Sequence, residues 1–231
     1  ADGSAVIHCS TVDMGQGSDT AMAQIAAEVL SMEAEAVRVI HPDTDVTPYD
    51  MSTLGSRSTY HMGLAVKLAA EDAKNKLEAM ARELDLPEGS NLSIPELFIK
   101  KFGMKAGNII GEASYVPSYS PPNYETGQST NATPFWMVGG AGAEVEVDTE
   151  TGHVRVTRLI NVCDVGKPLN PRIVETQITG AAVMQLGFTM TEGIEFDDGQ
   201  LTNPSLADYK IPGFFDLPDV MTGEIVDAEQ H

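Results

Sequence analysis

The sequence predicts an α+β fold, with mixed sheets packed against helices and two subdomains. Stretches rich in β-branched residues, such as Val37–Ile40, mix with longer stretches such as 60–84, where apolar residues recur at helical spacing. The two kinds of segment do not alternate strictly, and this is typical of α+β architecture rather than a doubly wound sheet. A polar, Pro-rich connection at 117–134 separates a first subdomain, 1–116, from a second, 135–231.

The first half of the chain contains clear start and stop signals. Ser18, Asp19 and Thr20 are residue types that cap helix N-termini, and the run 86–89, with its Pro and Gly, ends a long helix. Ser93 is placed to cap a short helix that has Pro in its first turn. The predicted elements are strand 4–12, helix 21–32, strand 37–40, helix 60–84, helix 94–102 and strand 113–116.

The second half begins with a hairpin, in which Ala143–Asp148 alternates apolar and acidic residues and Val154–Val162 returns. Asn170 caps a helix that has Pro171 at its first position and runs to about Leu186. The remaining predictions are extended chain over 187–196, a turn over 197–199 and a loop over 203–219.

Composition limits the possible partners and compartment. Lys and Arg number 14 against 34 Asp and Glu, for a net charge of -20, which repels nucleic acid. The two cysteines, Cys9 and Cys163, lie in apolar segments, so we expect reduced thiols and a cytoplasmic location. The five histidines are scattered without zinc-site spacing, so we expect no metal held by protein ligands. We expect no membrane-spanning segment either.

Two small-residue turns, 14–18 and 55–59, each precede a predicted helix. A helix N-terminus offers unpaired N–H groups and partial positive charge, which suit phosphate, and glycine allows a ligand to approach the backbone closely. Arg57 could add a bidentate contact, and the Gln16 amide suits a heterocycle edge or an oxo group. Taken alone, each turn is more often structural than functional. Arg57 is then more typical of a surface ion pair, and Gln177 of a solvated helix position.

Taken in order, these motifs resemble the xanthine dehydrogenase/aldehyde oxidase family, in the second half of its molybdopterin-binding region. The resemblance covers most of the chain and is weakest over about 70–134. The segments that carry it are Asp13–Thr20, Asp43–Pro48, Gly55–Thr59, the hairpin Ala143–Val162, Asp164–Gly166, Leu169–Pro171, Gln177, Gly180, Asn203–Ser205, Asp208–Tyr209 and Ile211–Pro212.

The resemblance implies a molybdenum ion held by the dithiolene of a pterin cofactor. Gln16 and its neighbours would contact the pterin or the molybdenum oxo group, Gln177 would bind the pterin, and 55–58 would hold the phosphate end. The Ser-Arg-Ser sequence resembles that of bacterial members that use the cytosine dinucleotide form of the cofactor. The implied cofactor-binding residues are Met14, Gly15, Gln16, Gly17, Gly55, Ser56, Arg57, Ser58, Asp164, Asn170 and Gln177.

The family reaction implied is hydroxylation of a heterocycle or aldehyde with oxygen from water. Its electrons leave through iron–sulfur clusters and usually FAD, on other domains or subunits. The family's base is a Glu in a Gly-rich segment beyond the counterpart of Ile211-Pro212, so no catalytic residue is assigned here, and Glu224 is interpreted as strand or tail.

We therefore expect the chain to be a fragment of a molybdenum hydroxylase that is inactive in isolation. The turn signal at 1–3, which leads directly into a predicted strand, also indicates a fragment. It would need the remaining molybdopterin-binding half and the electron-transfer domains as partners, together with a small-molecule substrate. Two alternatives remain open, a non-catalytic cofactor-binding or scaffold module and a generic binder of phosphate ligands.

Overall fold

The computed structural model describes residues 2–51, 53–84, 92–103, 105 and 107–226. The chain divides into two compact units, Ala1–Pro134 and Phe135–His231, each of which combines helices with a small sheet. The predicted mixture of helices and mixed sheets is confirmed. No helix in the described ranges has the length and apolar character needed to cross a bilayer.

The first unit begins with a parallel strand pair joined by a helix. Strands β1 (Ala5–His8) and β2 (Val37–Ile40) pair in register, with Ala5 opposite Val37. Helix α1 (Ser18–Leu30) and a 3₁₀ turn (Ala34–Ala36) connect them. Parallel neighbours need such a crossover connection, which explains why a helix separates two short strands.

Helix α1 packs both on strand β2 and on helix α2 (Gly63–Glu83). Met22 of α1 is fully buried, in a core with Cys9, Val37 and Val66. The helices approach at Gly63, where a Cβ atom would lie 2.9 Å from the Ile25 Cδ1 atom. A larger residue at Gly63 would therefore force the end of the Ile25 side chain to move.

A second apolar cluster forms where α3 (Ile94–Phe102) meets α2, through Leu97, Phe98 and Met80. The predicted start of α3 is confirmed by a capping box, in which the Ser93 N–H donates to the Glu96 carboxylate over 2.8 Å.

The second unit contains a three-stranded sheet of order β3 (Val138–Val147), β4 (Val154–Asp164) and β7 (Val220–Val226). The first pair is antiparallel and the second is parallel. Helix α4 (Pro171–Met190) packs on β7 at Gly223, where a Cβ would lie 3.1 Å from the Glu175 carbonyl oxygen. The smaller elements are strands Phe196–Asp197 (β5) and Gln200–Leu201 (β6), helix Leu206–Tyr209 (α5) and a 3₁₀ turn Phe214–Asp216.

Several element boundaries differ from the sequence-based expectations. The strand predicted over 113–116 is absent, although those residues are described. Helix α4 continues to Met190 instead of ending near Leu186, so Gly187 lies buried inside the helix, where a Cβ atom would meet Pro212 Cγ at 2.7 Å. The predicted loop over 203–219 holds the short α5 helix and a 3₁₀ turn. The predicted stop signal of the long helix, 86–89, lies outside the described residues.

The Pro-rich connection 117–134 has no regular strand, but backbone hydrogen bonds join its two ends. The Ser120 N–H donates to the Asn131 carbonyl over 2.7 Å, and the Asn123 N–H donates to the Gln128 carbonyl over 2.8 Å. The connection is therefore a folded loop with a hairpin-like path rather than an extended linker.

Truncation of the buried Met22 side chain should destabilise the first unit. We expect Met22→Ala to lower the free energy of unfolding by about 2–5 kcal/mol, because the change leaves a cavity between α1 and α2. Met51→Ala is the control, since that side chain is 68% exposed and its loss should cost less than about 0.5 kcal/mol. Urea titration followed by circular dichroism gives both values, and equal values for the two variants would contradict this packing.

Candidate functional site

The first small-residue turn depends on glycine. Gly15 and Gly17 have φ angles of 102° and 78°, in the left-handed region that side chains other than hydrogen disfavour. A Cβ atom built on Gly15 would meet no atom within 4 Å, so open space lies beside the backbone there. Met14, at the start of the turn, is 68% exposed.

The Asp13 carboxylate closes the N-terminal end of α1. Its Oδ1 accepts from the Gly15 N–H over 2.9 Å, and its Oδ2 accepts from the Asp19 N–H over 3.0 Å. These backbone bonds hold the pKa of Asp13 below its usual range. Burial and the nearby Asp13 charge raise the pKa of Asp19.

This carboxylate corrects the idea that both helix N-termini offer vacant anion sites. At α1 the Asp13 carboxylate already accepts from the Asp19 N–H in the first helical turn and adds a negative charge. The predicted N-cap residues also shift, because α1 begins at Ser18 and its N-cap is Gly17. An exogenous phosphate at α1 would have to displace Asp13.

The Gln16 amide folds back on its own turn. Its Oε1 accepts from the Met14 N–H over 2.7 Å, and its Nε2 donates to the Val12 carbonyl over 2.8 Å. Because an amide has two acceptor lone pairs and two N–H donors, one of each remains for a ligand. The turn therefore presents a prearranged donor–acceptor pair.

The second turn has a different construction. Gly55 and Ser56 have φ angles of 62° and 58°, and a π-helical turn (Ser58–Met62) follows before α2 begins. Such π turns occur frequently at functional sites. The N-cap, Arg57, makes no side-chain cap bond, and no acidic residue lies in the first turn.

Arg57 itself forms an ion pair with Asp50. The Arg57 Nη1 atom lies 2.7 Å from Asp50 Oδ1, and the two side chains are only 17% and 9% exposed. The ion pair considered at Arg57 is thus present, although it is largely buried rather than on the surface.

The described residues of the first unit bring the two turns onto one scaffold. The Val12 N–H donates to Thr53 Oγ1 over 2.8 Å, and Ser10 Oγ bonds to Thr47 Oγ1 over 3.0 Å. Helix α1 also contacts the π-helical turn. The chain segment that enters the first turn is therefore fastened to the segment that enters the second.

The remaining candidate residues lie in the second unit, around the start of α4. Asp164 Oδ1 accepts from the Gly166 N–H over 2.8 Å, and Asn170 Oδ1 accepts from the Ile173 N–H over 3.2 Å, as an N-cap. Gln177 is exposed two turns into α4. Asp164 and Asn170 thus have local structural roles, and Gln177 faces solvent.

Three residues near the turns were not singled out from sequence. Asp13 and Asp50 organise the first and second turns, and Thr11 Oγ1 is buried without a hydrogen-bond partner in the described residues. The spacing of Asp13 two residues before Gly15 is a recognisable turn signal. No local pattern announces the Asp50–Arg57 pair. Among the described residues, no group of three or more His, Cys, Asp or Glu could hold a metal.

The sequence comparisons agree with the resemblance. The family model for the molybdopterin cofactor-binding domain matches residues 1–218. The xanthine dehydrogenase molybdenum-binding subunit of Escherichia coli O157:H7 is 30% identical over 95% of this chain and 30% of its own length. The carbon monoxide dehydrogenase large chain of Hydrogenophaga pseudoflava is 31% identical over 99% of this chain and 30% of its own length. This chain therefore spans under a third of these relatives.

Solved structures give the same result. The CO dehydrogenase from Oligotropha carboxidovorans matches 94% of this chain and 28% of its own, with a TM-score of 0.71 and 26% identity. Quinoline 2-oxidoreductase from Pseudomonas putida 86 matches 97% of this chain and 30% of its own, with a TM-score of 0.72 and 25% identity.

Replacement of Asp13 should loosen the first turn in a pH-dependent manner. We expect Asp13→Ala to lower the free energy of unfolding by about 0.5–2 kcal/mol at pH 7, the usual cost of losing a helix cap. The folded-state pKa is lowered, so the stabilisation is present above the unfolded-state pKa of about 3.9 and disappears as the pH falls through the lower folded-state value.

Denaturant titrations of wild type and variant at pH 7 and near pH 2 measure this difference. The gap between them should shrink at the lower pH. A gap that is independent of pH would show that the Asp13 charge does not hold the turn.

Proposed function

The chain belongs to the molybdopterin cofactor-binding domain family, and from this membership we propose that its two turns bind the cofactor of a molybdenum hydroxylase, and that residues around the start of α4 contribute separate contacts. The observation that carries the proposal is the different chemistry of the two turns. One presents an amide edge, and the other presents a guanidinium beside an uncapped helix start.

The first turn suits the pterin end. Gln16 has one donor and one acceptor to offer, and the positive φ angles of Gly15 and Gly17 leave the backbone open on one side. A Cβ at Gly15 would project into that open space, where the heterocycle would lie. Met14 lies beside it and would shield one face of the ring.

The second turn suits the phosphate end. Gly55, Ser56 and Ser58 supply backbone N–H groups and hydroxyls, and Arg57 supplies positive charge without an acidic neighbour in the first helical turn. A Cβ at Gly55 would also meet no atom within 4 Å. We propose that the cofactor is the cytosine dinucleotide form, whose second phosphate Arg57 would meet.

The second unit would supply Gln177 to the pterin. Asp164 and Asn170 shape the loop before α4 and would lie toward the nucleotide end. A generic phosphate ligand would require none of these residues.

The bound cofactor would supply redox chemistry for water-derived hydroxylation of a heterocycle or aldehyde. The residues of this chain bind and orient it, and none of them is proposed as the base, because Glu224 lies in strand β7 away from glycine-rich chain. Iron–sulfur clusters and FAD on other domains or subunits would accept the electrons, and we propose that the assembly is cytoplasmic.

Cofactor analysis tests this function. Protein expressed from its own gene, with its copurifying subunits, should contain molybdenum near one atom per copy of this chain and release a cytosine nucleotide on acid hydrolysis. Absence of molybdenum and nucleotide would contradict the proposal. Full loading without turnover of any heterocycle or aldehyde would favour a non-catalytic, cofactor-carrying module.

A matched pair of glutamines on α4 tests the site. We expect Gln177→Ala to lower the cofactor content several-fold, because it removes a pterin hydrogen bond. Gln185→Ala is the control on the same helix, where the amide donates to Thr189 Oγ1 over 3.3 Å. Molybdenum content by mass spectrometry compares the two, and equal loading would count against Gln177.

A further inference from the structure

We propose that Asp50 is a positioning residue, which holds the Arg57 guanidinium in place to meet the phosphate end of the cofactor. This inference rests on the proposed function of the second turn. It assigns to Asp50 no contact with the ligand itself. Its effect would pass entirely through Arg57.

The geometry of the pair supports this role. Asp50 Oδ1 accepts from Arg57 Nη1 over 2.7 Å and also from the Met51 N–H over 2.8 Å. The second bond fixes the carboxylate to its own backbone. The Asp50 side chain is 9% exposed, so solvent screens the pair only weakly.

Hydrogen bonds also fix the main chain of Arg57. Its carbonyl accepts from the His61 N–H over 2.8 Å, and His61 Nδ1 lies 3.1 Å from the same oxygen. A long arginine side chain normally has many rotamers, and their loss opposes binding. When the guanidinium is oriented before the ligand arrives, that loss no longer reduces the affinity.

The pair does not prevent Arg57 from binding an anion. A guanidinium carries five N–H donors in a planar fork, so it can serve Asp50 and a phosphate at once. Asp50 could act in two opposite ways, by orienting Arg57 or by neutralising it. The double anchoring and burial of the carboxylate favour orientation, and the two roles predict opposite effects of removing the charge.

A double-mutant cycle tests the proposal. Inorganic pyrophosphate is titrated calorimetrically into cofactor-free protein, expressed from its own gene with its copurifying subunits. We expect Asp50→Asn to weaken pyrophosphate binding about 10- to 100-fold, the effect typical of losing a residue that orients a metal-binding side chain. Arg57→Met should weaken it at least as much. Because Asp50 acts through Arg57, the double variant should bind no more weakly than Arg57→Met alone.

Asp72→Asn is the matched control. Asp72 forms an ion pair with Lys76 at 2.7 Å within helix α2, but that pair is exposed and lies away from the second turn. Its loss should leave pyrophosphate binding unchanged. Asp50→Glu keeps the charge and displaces it by one methylene, so it tests geometry even if Asp50→Asn folds poorly, and it should also weaken binding.

Each contrary result has a distinct meaning. Unchanged or tighter binding by Asp50→Asn or Asp50→Glu would overturn the positioning role. An Asp50→Asn effect that persists in the Arg57→Met background would show a structural role instead. If Arg57→Met itself binds pyrophosphate as wild type does, the proposed phosphate site fails, and the positioning role fails with it.

Discussion

The close approach of α1 and α2 at Gly63 is the constraint on which the first unit depends. Both helices begin at candidate turns, and Met22 and Ile25 meet Gly63 within the first two turns of α1. Because the contact lies near both helix starts, it fixes the two turns on one scaffold. The Val12–Thr53 hydrogen bond of 2.8 Å joins the loops that lead into them.

Charge then gives the two turns different capacities. Asp13 accepts from the Gly15 and Asp19 N–H groups and places a negative charge at the first turn, whose main neutral polar side chain is the Gln16 amide. The π-helical turn before α2 has no acidic residue in its first turn, and its N-cap, Arg57, forms an ion pair with Asp50. We propose that in a chain with net charge -20 this local positive charge offsets the overall repulsion of an anion.

The sequence predicted the fold class and the elements with strong local signals. Helix α3, with its Ser93–Glu96 capping box, and strand β2 were predicted to the residue. The order of short motifs also predicted the family. Local sequence signals could not predict the extent of α4, because Gly187, which is typical of a helix end, instead packs inside the helix against Pro212. No local sequence pattern predicts the Asp50–Arg57 pair, or the burial of the Thr11 hydroxyl without a hydrogen-bond partner in the described residues, because both depend on the tertiary fold.

The structure of the cofactor-loaded protein tests the central claim, the separate roles of the two turns, most directly. We expect phosphate density within hydrogen-bonding distance of Ser56, Arg57 and Ser58, and a heterocycle edge on the Gln16 amide. We also expect Asp13 to keep its bonds to the Gly15 and Asp19 N–H groups. Phosphate at the start of α1, with the Asp13 carboxylate displaced, would contradict these separate roles.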